Sequence, residues 1–144
     1  MVHLLPITAN NFWEVIELKV TSDQTDLVTS NAVSIAQAKV QPECVPLAVY
    51  DDATLVGFVM YCLDSDDGEY WLYRLMIDAT HQGKGYGSVA LSLVIDIIQQ
   101  DSSRHKLFLG VDLRGDRSVQ LYRSAGFHFT GQVFGKEHIM VLEW

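Results

Sequence analysis

The sequence predicts a mixed α/β fold, with a mostly antiparallel central sheet and helices on both of its faces. Three observations carry this. Three strand-like runs between Val45 and Ile77 follow one another with only short polar turns between them. A strongly amphipathic stretch, Gly87 to Gln99, then leads into a short apolar run of the buried-strand type, Lys106 to Val111. A second helical stretch, Asp116 to Ala125, is followed by two more strand-like runs. A helix that links two neighbouring strands makes them parallel, so the strand before Gly87 and the strand at Lys106 form the one parallel pair.

Taken in order, Val2 to Ile7 reads as a short first strand. Asn10 or Asn11 caps a helix whose apolar positions Phe12, Val15, Ile16 and Val20 keep helical spacing. Thr21 to Ser30 is polar and reads as a loop, and a second helix covers Ala32 to Lys39. Val45 to Tyr50 and Leu55 to Leu63 are strands joined by the turn Asp51-Asp52-Ala53-Thr54. The acidic turn Asp64-Ser65-Asp66-Asp67-Gly68-Glu69 leads to a strand over Tyr70 to Ile77. The next helix presents Val89, Ala90, Leu93, Val94, Ile97 and Ile98 as its apolar face. Val119, Leu121 and Tyr122 keep helical spacing in the last helix, and Gly126 stops it. Strands near Phe127 to Phe134 and His138 to Leu142 complete the sheet.

The 144 residues amount to one domain, taken as 1–144. Ten basic against eighteen acidic side chains give a net charge of −8, which argues against a nucleic-acid binder or a protein drawn to an anionic membrane. Hydrophobic residues at 49% argue against disorder. The opening segment has no basic, then apolar, signal pattern. Cys62 lies in an apolar run and Cys44 beside Pro42 and Pro46 in an expected loop; both read as free thiols of a reducing, cytoplasmic compartment. The five histidines show no metal-ligand spacing with one another or with a cysteine, so no metal site is expected.

The chemistry lies in Gln82-Gly83-Lys84-Gly85-Tyr86-Gly87, between a strand and the best helix in the chain. Glycines there let backbone N–H groups approach a ligand and take positive φ without steric cost. With the helix dipole they form an anion site suited to a phosphate or diphosphate, and Lys84 adds a positive charge. The loop is not a Walker loop, and Ser88 stands where the dinucleotide fingerprint requires glycine.

The Gln-x-x-Gly-x-Gly loop in this setting resembles the coenzyme A loop of the GCN5-related N-acetyltransferases. The segment Leu121-Tyr122-Arg123-Ser124-Ala125-Gly126-Phe127 resembles that family's Leu-Tyr-x-x-x-Gly-Phe. The likeness runs from about Leu47 to the C-terminus. Within the family, Trp71 to Asp78 followed by Gln82-Gly83-Lys84-Gly85 looks most like bacterial spermine/spermidine acetyltransferases. The resemblance implies a splayed pair of central strands, with backbone groups of Leu75, Met76 and Ile77 bonding the pantetheine arm of acetyl-CoA. N–H groups from Gln82, Gly83, Lys84, Gly85, Tyr86, Gly87 and Ser88 would hold the diphosphate. Tyr122 would be the general acid for the departing thiolate, and the N–H near Met76 the donor to the developing oxyanion. A homodimer is common among such proteins.

Two positions depart from the family. Tyr73 stands where polyamine acetyltransferases often carry a carboxylate, and a phenol with an ordinary pKa of about 10 is a poor base at pH 7. Tyr73 would then orient the amine, or a water chain to another carboxylate would serve as base. Gly115 stands where an asparagine is common. For the substrate, Asp64, Asp66, Asp67 and Glu69, with Glu17 and Glu14 on the first helix, are candidate acidic walls for a polycation. Such a turn, taken alone, reads first as a solvated surface turn; the net charge and the family resemblance turn it toward a polyamine. The expected activity is acetyl transfer from acetyl-CoA to a primary amine such as spermidine or spermine, by direct attack in a ternary complex. The alternatives are another amine (an aminoglycoside or a protein N-terminus), an acetyl-CoA-binding module of weak activity, or a nucleotide-phosphate binder.

Overall fold

The computed structural model describes residues 1–144. Seven strands form one sheet: β1 (Val2–Pro6), β2 (Cys44–Asp51), β3 (Thr54–Leu63), β4 (Tyr70–Ile77), β5 (Lys106–Asp112), β6 (His128–Phe134) and β7 (Glu137–Glu143). Their spatial order is β1-β2-β3-β4-β5-β7-β6. Every neighbouring pair is antiparallel except β4 and β5, which are parallel, as the crossover helix between them requires. The helices are α1 (Phe12–Glu17), α2 (Asn31–Val40), α3 (Tyr86–Gln99) and α4 (Asp116–Ser124). No helix is long and apolar enough to cross a membrane.

Two apolar cores divide the sheet into faces. Ala90, Leu91, Val94 and Ile98 of α3 and Tyr122 of α4 pack with Val56, Val59, Leu72, Leu107, Leu109 and Val111 on one face. Val15 of α1, with Ile35 and Ala38 of α2, packs with Phe58, Met60, Cys62 and Met76 on the other. Each fully buried Leu or Ile in these cores contributes about 1.5–3 kcal/mol. The stripe on α3 is rotated from the expected face: Leu91 turns inward, while Val89 and Ile97 are exposed.

Three further differences have local causes. The first helix stops at Glu17, short of Val20, because Leu18 is extended and the chain docks beside the end of β4. There the Lys19 N–H donates to the Asp78 carboxylate, and the Ala79 N–H donates to the Lys19 carbonyl. Ser22 to Leu27, expected as a loop, forms a 3-10 helix. Cys44 is not in a loop but opens β2, buried directly opposite Cys62 of β3. Both thiols are free, and burial pushes that of Cys44 up to about 12.

Candidate active site

The site begins with a defect in the sheet. Met60 of β3 faces Arg74 and Tyr61 faces Leu72, so Tyr73 is an extra residue of β4 with no partner. Such a bulge bends its strand and breaks pairing. On its other edge β4 pairs with β5 only over Tyr70–Leu72 and Leu107–Leu109. Beyond that point β5 stays with β7 as far as Asp112, β4 stays with β3 as far as Ile77, and the two strands part. The facing edges of Tyr73 to Ile77 and of Gly110 to Asp112 therefore have no strand between them. This is the splayed central pair.

Strand alternation decides which backbone groups of β4 face the gap. The Asp78 N–H donates to the Val56 carbonyl of β3, so Met76, two residues back, also turns its backbone to β3, and Leu75 and Ile77 turn theirs to the gap. A Cβ on Gly57 of β3 would collide with the Met76 carbonyl, which agrees. The three residues expected to bond one ligand are thus split. Leu75 and Ile77 remain, while the Met76 N–H is removed as an oxyanion donor. The Ile77 carbonyl is itself taken by the Gln82 side-chain amide at 2.9 Å.

At the open end of the gap, Gly83 and Gly85 have φ of 79° and 84°. Gly85 is the left-handed residue that opens α3, and no side chain caps that helix. The first backbone bond of the helix runs from the Val89 N–H to the Gly85 carbonyl. The N–H groups of Gln82, Gly83, Lys84, Gly85, Tyr86, Gly87 and Ser88 donate to no backbone carbonyl. Nothing lies within 4 Å of where a Cβ on Gly83 or Gly85 would stand, so the loop's surface is open to a ligand. Lys84 is exposed beside it. These donors, at the positive end of a 14-residue helix, fit a diphosphate. The side chains at either end serve as braces. Gln82 reaches Gln24 at 2.9 Å as well as Ile77, and the Tyr86 hydroxyl donates to the Asp51 carboxylate at 2.6 Å.

The two tyrosines differ in setting. Tyr122 is buried, its ring edge-on to Phe127 at 5.7 Å, and its hydroxyl has no hydrogen-bond partner. Burial pushes its pKa well above the ordinary phenol value. Tyr73 lies on the other face of the sheet. Burial, and then the neighbouring Cys62 thiol, push its pKa up as well. A phenol so held does not ionise near neutral pH and is no general base. It forms a wall of the site.

A cleft of about 240 Å³ opens on the α2 face where β4 and β5 part, bordered by Gln37, Tyr73, Arg74, Gly110, Phe134 and Glu137 among others. None of the expected acidic residues borders it. Asp64, Asp66, Asp67 and Glu69 sit in the turn before β4, at the opposite end of that strand from the glycine loop. Asp64 accepts from the Asp66 N–H, and Asp67 accepts from the Glu69 N–H and the Trp71 indole. These carboxylates shape their own turn. Glu17 is exposed at the end of α1. Glu137 escaped the sequence reading, and the only available signal was its place at the start of the last strand. Gly115 opens α4 without a side-chain cap, with the Asp112 carbonyl accepting from its N–H. A larger apolar groove of about 560 Å³ lies elsewhere, between Phe12, Trp13, Ile35 and Pro46, and brings no catalytic group together.

A splayed parallel pair, a glycine-lined helix entry with free N–H donors and a tyrosine beside the gap together define a class of protein that clasps a diphosphate-bearing acyl donor along a strand edge. Residues 12–127 match the Acetyltransferase (GNAT) family, and the chain belongs to that family. It is 30% identical, over 99% of its length and 98% of the relative's, to a spermine/spermidine N(1)-acetyltransferase of Bacillus subtilis strain 168. Among solved structures it resembles an aminoglycoside acetyltransferase in complex with coenzyme A, with a TM-score of 0.82 at 16% identity, covering 99% of this chain and 95% of that one. It also resembles the spermidine N-acetyltransferase of Vibrio cholerae in complex with CoA and spermine, with a TM-score of 0.77 at 17% identity and the same coverage. At these identities the structural likenesses establish the fold.

Proposed function

We propose that the chain, acting as a single domain, transfers the acetyl group of acetyl-CoA to a primary amine of a polyamine such as spermidine or spermine. The observation that carries the reading is the opening between β4 and β5, flanked by unpaired backbone groups at one edge and by free N–H donors at its mouth. The full-length likeness to a spermine/spermidine acetyltransferase supports the choice of amine over other acceptors.

In this reading the N–H groups from Gln82 to Ser88 hold the diphosphate, and the edge of Leu75 and Ile77 aligns the pantetheine arm. Acetyl-CoA supplies an activated acyl carbon at the gap. The amine, an ammonium with a pKa of about 10.4 by analogy with lysine, gives one proton to solvent and attacks that carbon; the C–S bond then breaks, and the proton shed by the new amide nitrogen passes through water to the departing thiolate. An N–H of Leu75 or Ile77 stands where the developing oxyanion needs a donor. With its pKa raised, Tyr122 acts chiefly by hydrogen-bonding the leaving sulfur, because full proton transfer from such a phenol is uphill. Two free thiols agree with work in a reducing cytoplasm, and a homodimer is the expected assembly.

Mixing the protein with acetyl-CoA and a panel of amines while following free thiol tests the reading. Spermidine and spermine should release thiol faster than kanamycin or an N-terminal peptide. Coenzyme A binding without release against any amine would leave only a binding module. Gly85→Val should weaken coenzyme A, since a side chain at a φ of 84° strains the loop that presents the donors; unchanged affinity would move the diphosphate elsewhere.

A further inference from the structure

We infer that Glu137 is the carboxylate that receives the ammonium group of the acceptor, at a subsite it forms with Gly110 and Tyr73. The inference rests on the amine-acetylation reading above and adds to it a specific anion on this chain.

Glu137 is the one carboxylate bordering the cleft at the parting of β4 and β5. Its position is set by what Gly110 lacks. A Cβ on Gly110 would stand 3.0 Å from Glu137 Oε2, 3.1 Å from its Cδ and 3.2 Å from its Cβ. The side chain therefore lies along bare backbone, across the strand pair that joins Gly110 to Ile139 and Asp112 to Glu137. Gly110 is also the first residue of β5 past Leu109, the last to pair with β4. The carboxylate thus stands beside the point at which the gap opens.

The cation of the cleft, Arg74, lies near enough for its charge to act on Glu137 but spends its hydrogen bonds elsewhere. Arg74 donates from Nε to Ser34, from Nη2 to Gln37 and from Nη1 to the Tyr73 carbonyl, which draws its guanidinium against α2. No ion pair joins it to Glu137, whose carboxylate has no hydrogen-bond partner and remains open to solvent. Trp71, Tyr73 and Phe134 add aromatic surface around the same cleft. Aromatic faces and an unpaired carboxylate together suit an alkylammonium, because the rings take the methylenes and attract the cation while the carboxylate accepts its N–H groups. The acidic turn at Asp64 to Glu69 does not border this cleft: it lies at the far end of β4, with the Asp64 and Asp67 carboxylates bonded within it.

The test varies spermidine at saturating acetyl-CoA for the wild type, Glu137→Gln and Glu137→Asp, and for Gly110→Ala in the wild-type and Glu137→Ala backgrounds. Glu137→Gln should raise KM for spermidine by about 10-fold or more, as expected for loss of a charge-assisted hydrogen bond. It should change kcat much less and leave coenzyme A affinity and Tm as they are. Glu137→Asp should recover part of the loss. Gly110→Ala should raise KM only while Glu137 is present, because its added methyl acts by displacing that side chain. An unchanged KM in Glu137→Gln with normal turnover overturns the assignment and leaves the acetyl-transfer reading standing. If the wild type acetylates no amine, that reading fails by itself, and titrating spermidine calorimetrically into the coenzyme A complex decides for Glu137. Heat lost in Glu137→Gln supports the subsite; equal heat in both proteins, or none in either, removes it.

Discussion

Tyr122 shows how a core ring can leave its polar group without a partner in the protein. Its ring belongs to the core beneath α3, while its hydroxyl pairs with nothing in the protein. A hydroxyl that pairs with nothing in the protein adds little to folding, so its loss costs little. Tyr122→Phe should therefore leave Tm nearly unchanged, yet lower turnover by about 10²-fold or more if the hydroxyl bonds the leaving sulfur. Parallel melting curves and single-turnover rates give both numbers, and full activity in the variant would retire Tyr122 from the mechanism. Tyr73 teaches the converse. It borders the cleft, but burial raises its pKa, so the phenol is a poor base near neutral pH.

At the scale of elements, the bulge at Tyr73 and the short β4–β5 ladder build the site, and Gly57 keeps β4 in place opposite it. Any Cβ at Gly57 would meet the Met76 carbonyl, a backbone atom that cannot rotate aside, and would also press on the Ile77 side chain. Gly57→Ala should destabilise the protein by about 1–3 kcal/mol and weaken coenzyme A by shifting the Leu75–Ile77 edge. Urea unfolding would measure the first effect and calorimetry the second, and a loss of neither would show that β4 has room to move. The opposite, closed end of the gap is tied by Asp101. It accepts from Ser103, from Tyr70 at the start of β4 and from Arg104.

For the whole molecule, the acidic surface sets the response to pH. Hydrogen bonds from Ser103, and then from Tyr70 and Arg104, hold Asp101 down to about 2. Bonds from Arg114 hold Asp112 down to about 2 as well. A carboxyl whose pKa is lower in the folded than in the unfolded chain stabilises the fold above the ordinary value of about 3.9 and loses that contribution as pH falls through the folded value. Stability should thus hold from pH 7 to 5 and fall between about pH 4 and 2. Asp101→Asn should be less stable than the wild type at pH 7 and approach it near pH 2; curves that stay parallel across that range would exclude the Asp101 contribution.

The strand and helix order was legible because it rests on local spacing: period-two runs, the stripe on Gly87 to Gln99, and glycines at the mouth of that helix. A left-handed residue opening a helix needs glycine whatever surrounds it, so the candidate anion site could also be read from the chain. Where α1 stops, which side of α3 turns inward, and that Tyr73 is the bulged residue depend on partners distant in sequence: Lys19 with Asp78, Leu91 with the sheet, Arg74 with Met60. The acidic turn's distance from the cleft has the same cause. The acids of Asp64–Glu69 are dense in the sequence, whereas the lone Glu137 gains its position at the cleft only when β7 is laid beside β5 and Gly110 leaves it room. Local composition fixes what a segment can form; strand pairing between distant segments decides which side chains share a cleft.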